Sequence, residues 1–302
     1  MLFISLTWVS CYRPAPVARP RVAEADLSQT AYDALSNRSG TILVIDPRYG
    51  RIIKRVGRGA DVQFNSSPFE IAEIVTAYAA LDAGVITEKT LLACDPAGAQ
   101  TDVAGALARS CPAFFGELSK RVPPAAFARA AEVIGFTYYG IDASDGGTTV
   151  VRPLTARLPD QPSAEVFAAL ATRGAGMEAR DLHFAQLVSS LASGTTAAER
   201  FAAYITTTAR APAPPAASLN QRALAVVRRG LLKAVDEGEA KAAASIDHKV
   251  AGKIGGGEGH AVCISYAPAH DPQIGLVVYL KEGAGREAAE VAGKFYAAYF
   301  KK

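Results

Sequence analysis

Ser67 and Glu70 are the residues of this chain whose types and spacing first suggest chemistry. Ser67 lies three residues before Glu70, at the start of a segment whose apolar residues repeat at helical spacing. A serine at a helix N-terminus lies near the positive end of the helix dipole, where it could act as an acyl-enzyme nucleophile. The same pattern is typical of a capping box, in which serine and glutamate only satisfy backbone N–H groups. The residues alone leave both interpretations open.

The segment after Ser67 has the pattern of a helix with one buried face. Pro68 suits the first helical position, and Gly84 suits the position just after the last turn. The apolar residues between them recur at spacings of three and four, which places them on one face: Ile71, Ile74, Val75, Tyr78 and Leu81. The sequence therefore predicts a helix from Pro68 to about Ala83.

Strand patterns lie towards both ends of the chain. Residues 41–46 and 51–56 are apolar runs joined by a turn sequence, which predicts a β-hairpin with Asp46 as a turn residue. Three further strands and a closing helix are predicted near the C-terminal end, over residues 248–253, 260–267, 273–281 and 286–300.

The middle of the chain is predicted to be mostly helical. Short helices are expected over residues 102–133, broken at Pro112 and Pro123, and a loop region over residues 141–163. Further helices are predicted over 181–193, 197–209 and 220–235. This order indicates an α+β fold, in which an antiparallel sheet of about five strands, built from both chain ends, surrounds a mostly helical middle.

The composition excludes some classes of function. The 302-residue chain has a net charge of +3, half of its residues are apolar, and a fifth are charged. Because no cluster of Lys and Arg alternates with aromatic residues, nucleic acid is not expected as a partner. The histidines lack the mutual spacing of a metal site, and the run from Gly255 to Gly257 opens no helix, unlike a phosphate loop. We therefore expect neither a metal nor a cofactor.

The N-terminal residues have the features of a targeting segment. Residues 2–9 are apolar but too few to span a bilayer, so residues 1–11 are predicted to be an export signal. Cys11 ends a sequence that resembles a lipoprotein cleavage box, and the alternative is a plain uncleaved leader. Residues 12–39 are predicted to be a Pro-rich tether and lead-in, followed by one domain over residues 40–302.

Cys94 and Cys111 lie on either side of a predicted loop. In an exported protein this arrangement is a candidate disulfide. The alternative is two small buried residues. Cys263 lies in an apolar strand and is expected in the core.

Five stretches, in this order, resemble the transpeptidase domain of penicillin-binding proteins. They are residues 40–52 (opening hairpin), 67–71 with 75–84 (Ser-x-x-Lys helix), 106–112 (Ser-x-Asn segment), 182–188 (a helix common in these domains) and 250–256 with 260–268 (Lys-Thr-Gly strand and the strand after it). The resemblance covers residues 40–302 and implies the same α+β fold.

The resemblance also implies roles at the first two motifs. Ser67 takes the position of the nucleophile, and Glu70 takes the position of the basic lysine. A carboxylate with an ordinary pKa of about 4.3 is a weaker base than a lysine with a lowered pKa. Ser110 persists as a proton relay or, as the alternative, only caps a helix, whereas Pro112 stands at the amide position and offers no side-chain donor.

At the third motif, Lys253 and Gly255 remain, and Ile254 replaces the hydroxyl residue that helps to hold the substrate. Lys253 could attract a substrate carboxylate as a point charge, or it could be a solvated strand residue. Base, amide and hydroxyl are thus all replaced. Because catalytic groups that act as a unit fail together, we expect little turnover.

The sequence therefore predicts an exported protein of the periplasm or cell envelope with a degenerate active site. Its expected role is to bind peptidoglycan stem peptides, β-lactams or an envelope protein partner involved in wall synthesis. The alternative is an active acyl-serine enzyme, a D,D-transpeptidase, carboxypeptidase or β-lactam-binding enzyme, in which Ser67 is the nucleophile and Glu70 an unusual base. A third interpretation is a structural module whose cleft is filled.

Overall fold

The computed structural model describes residues 24–143, 149–208, 214 and 217–301. The predicted signal, Cys11 and most of the proline-rich segments lie outside these residues. None of the helices in the described part is long and apolar enough to cross a membrane.

The helices and strands of the described chain have the following bounds. The helices are α1 Glu24–Leu35, α2 Ala72–Asp82, α3 Val103–Arg109, α4 Pro112–Ser119, α5 Pro124–Ile134, α6 Ala164–Arg173, α7 Asp181–Ser193, α8 Ala197–Thr208, α9 Gln221–Asp236 and α10 Gly285–Phe300. The strands are β1 Gly40–Asp46, β2 Arg51–Arg58, β3 Asn65–Ser66, β4 Leu92–Ala93, β5 Gln100–Thr101, β6 Thr137–Ala143, β7 Thr149–Thr155, β8 Ala179–Arg180, β9 Ala251–Gly257, β10 His260–Ala267 and β11 Ile274–Leu280.

The main sheet is built from both chain ends, as predicted. Its five strands lie in the order β2-β1-β11-β10-β9, and each neighbouring pair is antiparallel. The β1–β2 turn has the predicted chemistry: the Asp46 carboxylate accepts the Arg48 N–H, and Gly50 has a φ of +66° that glycine adopts without strain. β9 lies at the edge of this sheet.

The two faces of the sheet contact two hydrophobic cores. Because side chains alternate along a strand, Leu43 and Ile45 of β1 pack into the core that contains α2, α7 and α9. Ile42 and Val44 pack on the opposite face, against α1 and α10. α2 therefore lies between the sheet and the helical middle, and its residues from Ala72 to Ala80 are all buried.

Three local predictions were wrong or incomplete. The region predicted as a loop, residues 141–163, instead contributes to an antiparallel hairpin of β6 and β7. α1 lies within the predicted lead-in, and α6 was not predicted.

The helices α3, α4 and α5, with Pro112 and Pro124 at first helical positions, confirm the predicted breaks at the prolines.

Candidate functional site

The chain enters α2 through an irregular turn, so the predicted capping box is wrong. Phe69 has a φ of +52°, which interrupts the helical path, and residues Phe69–Ile71 form a 3-10 turn before α2 begins at Ala72. The Ser67 hydroxyl accepts the Phe69 N–H at 3.3 Å, whereas the Glu70 side chain points elsewhere. The reciprocal bond that defines a capping box is therefore missing.

Ser67 is held by the loop after α6. Its hydroxyl donates a hydrogen bond to the carbonyl oxygen of Gly174 at 3.0 Å. No Lys, Arg or His side chain in the described residues hydrogen-bonds to this hydroxyl. Ser67 is thus placed beside the groove at the start of α2, and its proton is directed to a backbone carbonyl.

Glu70 contacts the edge of the main sheet. One of its carboxylate oxygens accepts the backbone N–H of Gly256 on β9 at 2.9 Å. No hydrogen bond joins the described side chains of Glu70 and Ser67. The structure therefore gives different hydrogen-bond partners to the two residues that the sequence placed together as nucleophile and base.

Lys253 lies in the interior, which excludes the solvated strand residue considered above. Its side chain is 0 % exposed. Its ammonium donates hydrogen bonds to the Leu107 carbonyl at 3.2 Å, to the Ser110 hydroxyl, and to a Glu239 carboxylate oxygen at 2.8 Å. An ammonium has three N–H donors, so these three bonds use its full capacity.

Glu73 is a site residue that the sequence analysis missed. It lies one turn after Glu70 on α2, is 2 % exposed, and its Oε2 is 3.0 Å from the Lys253 ammonium. Glu73 and Lys253 therefore form a buried ion pair. Burial raises the pKa of Glu73 to about 7, although the attraction of Lys253 partly opposes that rise.

Ser110 and Glu239 complete the network around Lys253. Ser110 ends α3 in a left-handed conformation, with a φ of +46°, and its hydroxyl donates to the Glu239 carboxylate. Glu239 follows α9, and its backbone N–H bonds the Ala108 carbonyl at 3.1 Å. We call Glu73, Ser110, Glu239 and Lys253 the lysine network.

The lysine network keeps Lys253 protonated. Burial by itself would lower the pKa of Lys253, but the charges of Glu73 and Glu239 and their contacts with the ammonium outweigh it, so the pKa is raised above its ordinary value of 10.5. A lysine that accepts a proton in catalysis needs a lowered pKa. Lys253 in this environment acts as a fixed cation whose charge is already balanced.

The remaining predicted site residues lie around this network. Gly255 faces the 3-10 turn before α2, where a Cβ would lie 3.1 Å from the Glu70 backbone nitrogen. Ile254 faces the other side of β9 and contacts Gly285. Pro112 opens α4 immediately after Cys111, which forms a disulfide with Cys94 at a Cα–Cα distance of 4.8 Å. The disulfide fixes the chain next to Ser110.

An open groove lies beside this region, with a volume of about 580 Å³. Its lining includes Ser67, Phe69, Glu70, Arg173 and His260. In the described part of the chain, no group of three or more His, Cys, Asp or Glu residues could hold a metal ion. The groove can therefore offer backbone groups and single side chains to a ligand.

Sequence signals for the missed residues differ in strength. Glu73 lies three residues after Glu70 and shares its side of the helix, which is a readable pattern. Glu239 lies in a short connection with no repeat or motif around it, and only the tertiary structure brings it to Lys253. Side chains from four separate segments thus meet, of which the sequence analysis identified Ser110 and Lys253.

Comparisons with known proteins agree with this geometry. The sequence model of the penicillin binding protein transpeptidase domain matches residues 40–301. A structure of Pseudomonas aeruginosa PBP2 in complex with WCK 5153 is similar, with a TM-score of 0.72 and 18% identity over 91% of this chain and 77% of that chain. The transpeptidase domain of Burkholderia pseudomallei penicillin-binding protein 3, in its apo form, has a TM-score of 0.72 and 17% identity over 92% of this chain and 94% of that chain.

A third similar structure is the D,D-transpeptidase domain of a peptidoglycan glycosyltransferase from Eggerthella lenta, with a TM-score of 0.66 and 20% identity over 91% of this chain and 81% of that chain. Comparison of the sequence with curated proteins gave no match. At these identities the similar structures establish the fold.

Proposed function

Because the chain belongs to the penicillin-binding-protein transpeptidase domain family, we propose that it is a catalytically impaired member that acts by binding. The ligand of this proposal is a peptidoglycan stem peptide, in keeping with the peptides and β-lactams that the family fold binds in general. A protein partner in wall synthesis is the other occupant to test. The proposal rests above all on the lysine network.

Lys253 in the lysine network is available neither to receive a substrate carboxylate nor to act as a base. The donors of Lys253 are used by Leu107, Ser110 and Glu239, so the ammonium has no donor left for a substrate carboxylate. Its raised pKa prevents it from accepting a proton near neutral pH. These two facts support the loss of turnover.

The contacts of α2 support a second part of the proposal, which concerns the position of the Ser-x-x-Lys motif. Glu73 is the α2 residue that contacts Lys253. Glu70 precedes it by three residues, which is the spacing of serine and lysine in the motif. We place the two motif positions at Glu70 and Glu73 rather than at Ser67 and Glu70. Carboxylates would then replace both the nucleophile and the base.

The active-enzyme alternative requires Ser67 to react with Glu70 as its base. The Glu70 carboxylate is bonded to Gly256, and the Ser67 proton is directed to Gly174. Both contacts would have to break before the two side chains could act together. The geometry therefore favours the binding role.

A time course of labelling by a fluorescent penicillin tests the proposal. The unmodified protein should incorporate no label over hours, because no activated hydroxyl faces a base. The double change Glu70→Ser with Glu73→Lys should give slow labelling, since it places a hydroxyl and an amine at the two proposed motif positions. Glu70→Ala with Glu73→Lys is the matched control and should give none.

A second set of variants tests the other position of the motif. Glu70→Lys combined with Pro112→Asn and Ile254→Thr restores the family residues around Ser67. If this set labels and the first set does not, the motif starts at Ser67. Rapid, stoichiometric labelling of the unmodified protein that Ser67→Ala abolishes would overturn the impaired role.

The location of the domain is a separate proposal. Transpeptidase domains of this family are generally extracytoplasmic. We propose export to the cell envelope with a lipid anchor at Cys11, because of the apolar run and the cysteine that follows it. Membrane fractionation of the protein and of Cys11→Ser tests the anchor. Release of the variant from membranes is expected, and equal retention of both proteins would contradict the anchor.

A further inference from the structure

At the edge of β9, one backbone N–H group is already hydrogen-bonded to a side chain of the same protein. An edge strand presents N–H and C=O groups to which an extended peptide can add as a further strand. β9 is such an edge, and the N–H of Gly256 donates outward to the Glu70 carboxylate at 2.9 Å. A peptide carbonyl that pairs with Gly256 would need the position that the Glu70 oxygen holds.

Phe69 covers the face of the same strand. A Cβ at Gly257 would lie 3.1 Å from two carbons of the Phe69 ring, and a Cβ at Gly255 would lie 3.0 Å from the Phe69 Cβ. The glycines therefore permit an aromatic side chain to lie directly on the β9 backbone. Phe69 is buried in this position.

The segment that carries both side chains is held under strain. A bulky residue with a φ of +52° is unfavourable and persists only where its surroundings fix it. Ser67 provides one fixing contact through its bond to the Gly174 carbonyl. Pro68 provides another, because a Cβ at Gly174 would lie 2.6 Å from the proline ring.

We infer that residues 67–70 form a latch that closes the β9 edge against extended peptides. Glu70 occupies the Gly256 N–H, Phe69 covers the neighbouring glycines, and Ser67 anchors the segment. This inference rests on the proposed binding function and states how it is regulated: a peptide pairs with β9 only after the latch opens. Ser67 is accordingly an anchoring residue.

Amide hydrogen exchange at Gly256, followed by NMR, tests the latch without any ligand. Glu70→Ala should speed this exchange at least about tenfold, the scale of one hydrogen bond to a charged acceptor. The matched control is Glu258→Ala, which removes an equal charge from the same groove and leaves the Glu70 bond in place. Unchanged exchange in Glu70→Ala would overturn the latch, whatever the peptide results.

Titration with a diacylated peptide ending in D-alanyl-D-alanine tests what the latch controls. Glu70→Ala should bind this probe about tenfold more tightly than the unmodified protein, and Phe69→Gly should do the same while relieving the strain. Equal affinity of the unmodified protein and Glu70→Ala would overturn the latch. Faster Gly256 exchange with no peptide binding in any variant would support the latch and refute the proposed peptide ligand.

Discussion

Two buried cations in this protein have opposite surroundings. Lys253 lies between the carboxylates of Glu73 and Glu239, and its pKa is raised. Arg200 on α8 is 7 % exposed, and no carboxylate in the described residues lies within ion-pair distance of it. It donates instead to neutral groups, including the Thr195 carbonyl and the Gln186 side chain. Burial lowers the pKa of Arg200 to about 9.

The difference shows what decides the chemistry at Lys253. Burial alone moves a cation towards deprotonation, which is what a lysine base requires. Arg200 shows that effect, and Lys253 does not, although it is buried more completely. The two carboxylates therefore convert a site suited to a basic amine into a balanced ionic network. Lys253 stabilises the junction of α2, α3 and β9.

Lys253→Met should have the largest effect on stability. It leaves two carboxylates without their cation, and breaking a buried pair in this way costs about 3–5 kcal/mol. Chemical denaturation at pH 8 measures it, because Glu73 is then largely ionised. Lys249→Met is the control: its ion pair with Asp236 is 63 % exposed on the lysine side, and its loss should cost about 0.5 kcal/mol. Equal costs for both variants would refute a structural role of the lysine network.

The pH dependence of stability should report Glu73. Its pKa of about 7 in the folded state exceeds the ordinary 4.5, so the folded protein holds this proton more tightly than the unfolded chain. The resulting stabilisation is complete below pH 4.5 and is lost as the pH rises through 7. Between pH 4.5 and pH 8 the unmodified protein should therefore lose about 3 kcal/mol of its free energy of unfolding through Glu73. Glu73→Gln removes this titration, so the variant should not show that loss.

Urea denaturation at both pH values gives this difference. Glu117→Gln, on the exposed surface of α4, is a control of opposite sign: hydrogen bonds from Lys120 and Arg121 lower the pKa of Glu117, so this variant should lose rather than gain relative stability as the pH rises. If Glu73→Gln and the unmodified protein kept the same pH dependence, Glu73 would have an ordinary pKa.

Arg200→Met should cost less than Lys253→Met because it leaves neutral acceptors without partners rather than charges. Loss of its bonds to Thr195 and Gln186 is expected to cost about 2 kcal/mol. Since the pKa of Arg200 is about 9, the residue stays charged from pH 5 to pH 8, and the cost should not vary over that range. A cost that varied over this range would indicate an ionised partner.

Much of the fold was predictable because its signals are local. The hairpin of β1 and β2, the strands β10 and β11, and the helices α7 and α9 all follow apolar periodicity with turn or capping residues at their ends. The hairpin of β6 and β7 was missed because its strands contain Gly, Asp and Pro, which are depleted in strands. Its pairing is set by cross-strand contacts that no periodicity records.

The site was less predictable because its geometry depends on one backbone angle and one distant loop. The positive φ of Phe69 turns Glu70 to the sheet edge and places Glu73 in the interior, and a phenylalanine gives no signal for that conformation. Glu239 is brought to Lys253 by the packing of α9 against α3 and β9. Ser110 and Lys253 were identified because the family motifs mark their positions.

The protonation of Lys253 is the most direct test of the lysine network. The chemical shift of its side-chain nitrogen, assigned by comparison with Lys253→Arg and followed by NMR as the pH rises, reports the pKa. In the unmodified protein the titration midpoint should lie above pH 10.5, since the pKa is raised from that ordinary value. In the double variant Glu73→Gln with Glu239→Gln the pKa should fall below that value, because burial then acts alone. A titration midpoint of Lys253 near neutral pH in the unmodified protein would show that the two carboxylates do not keep its ammonium charged.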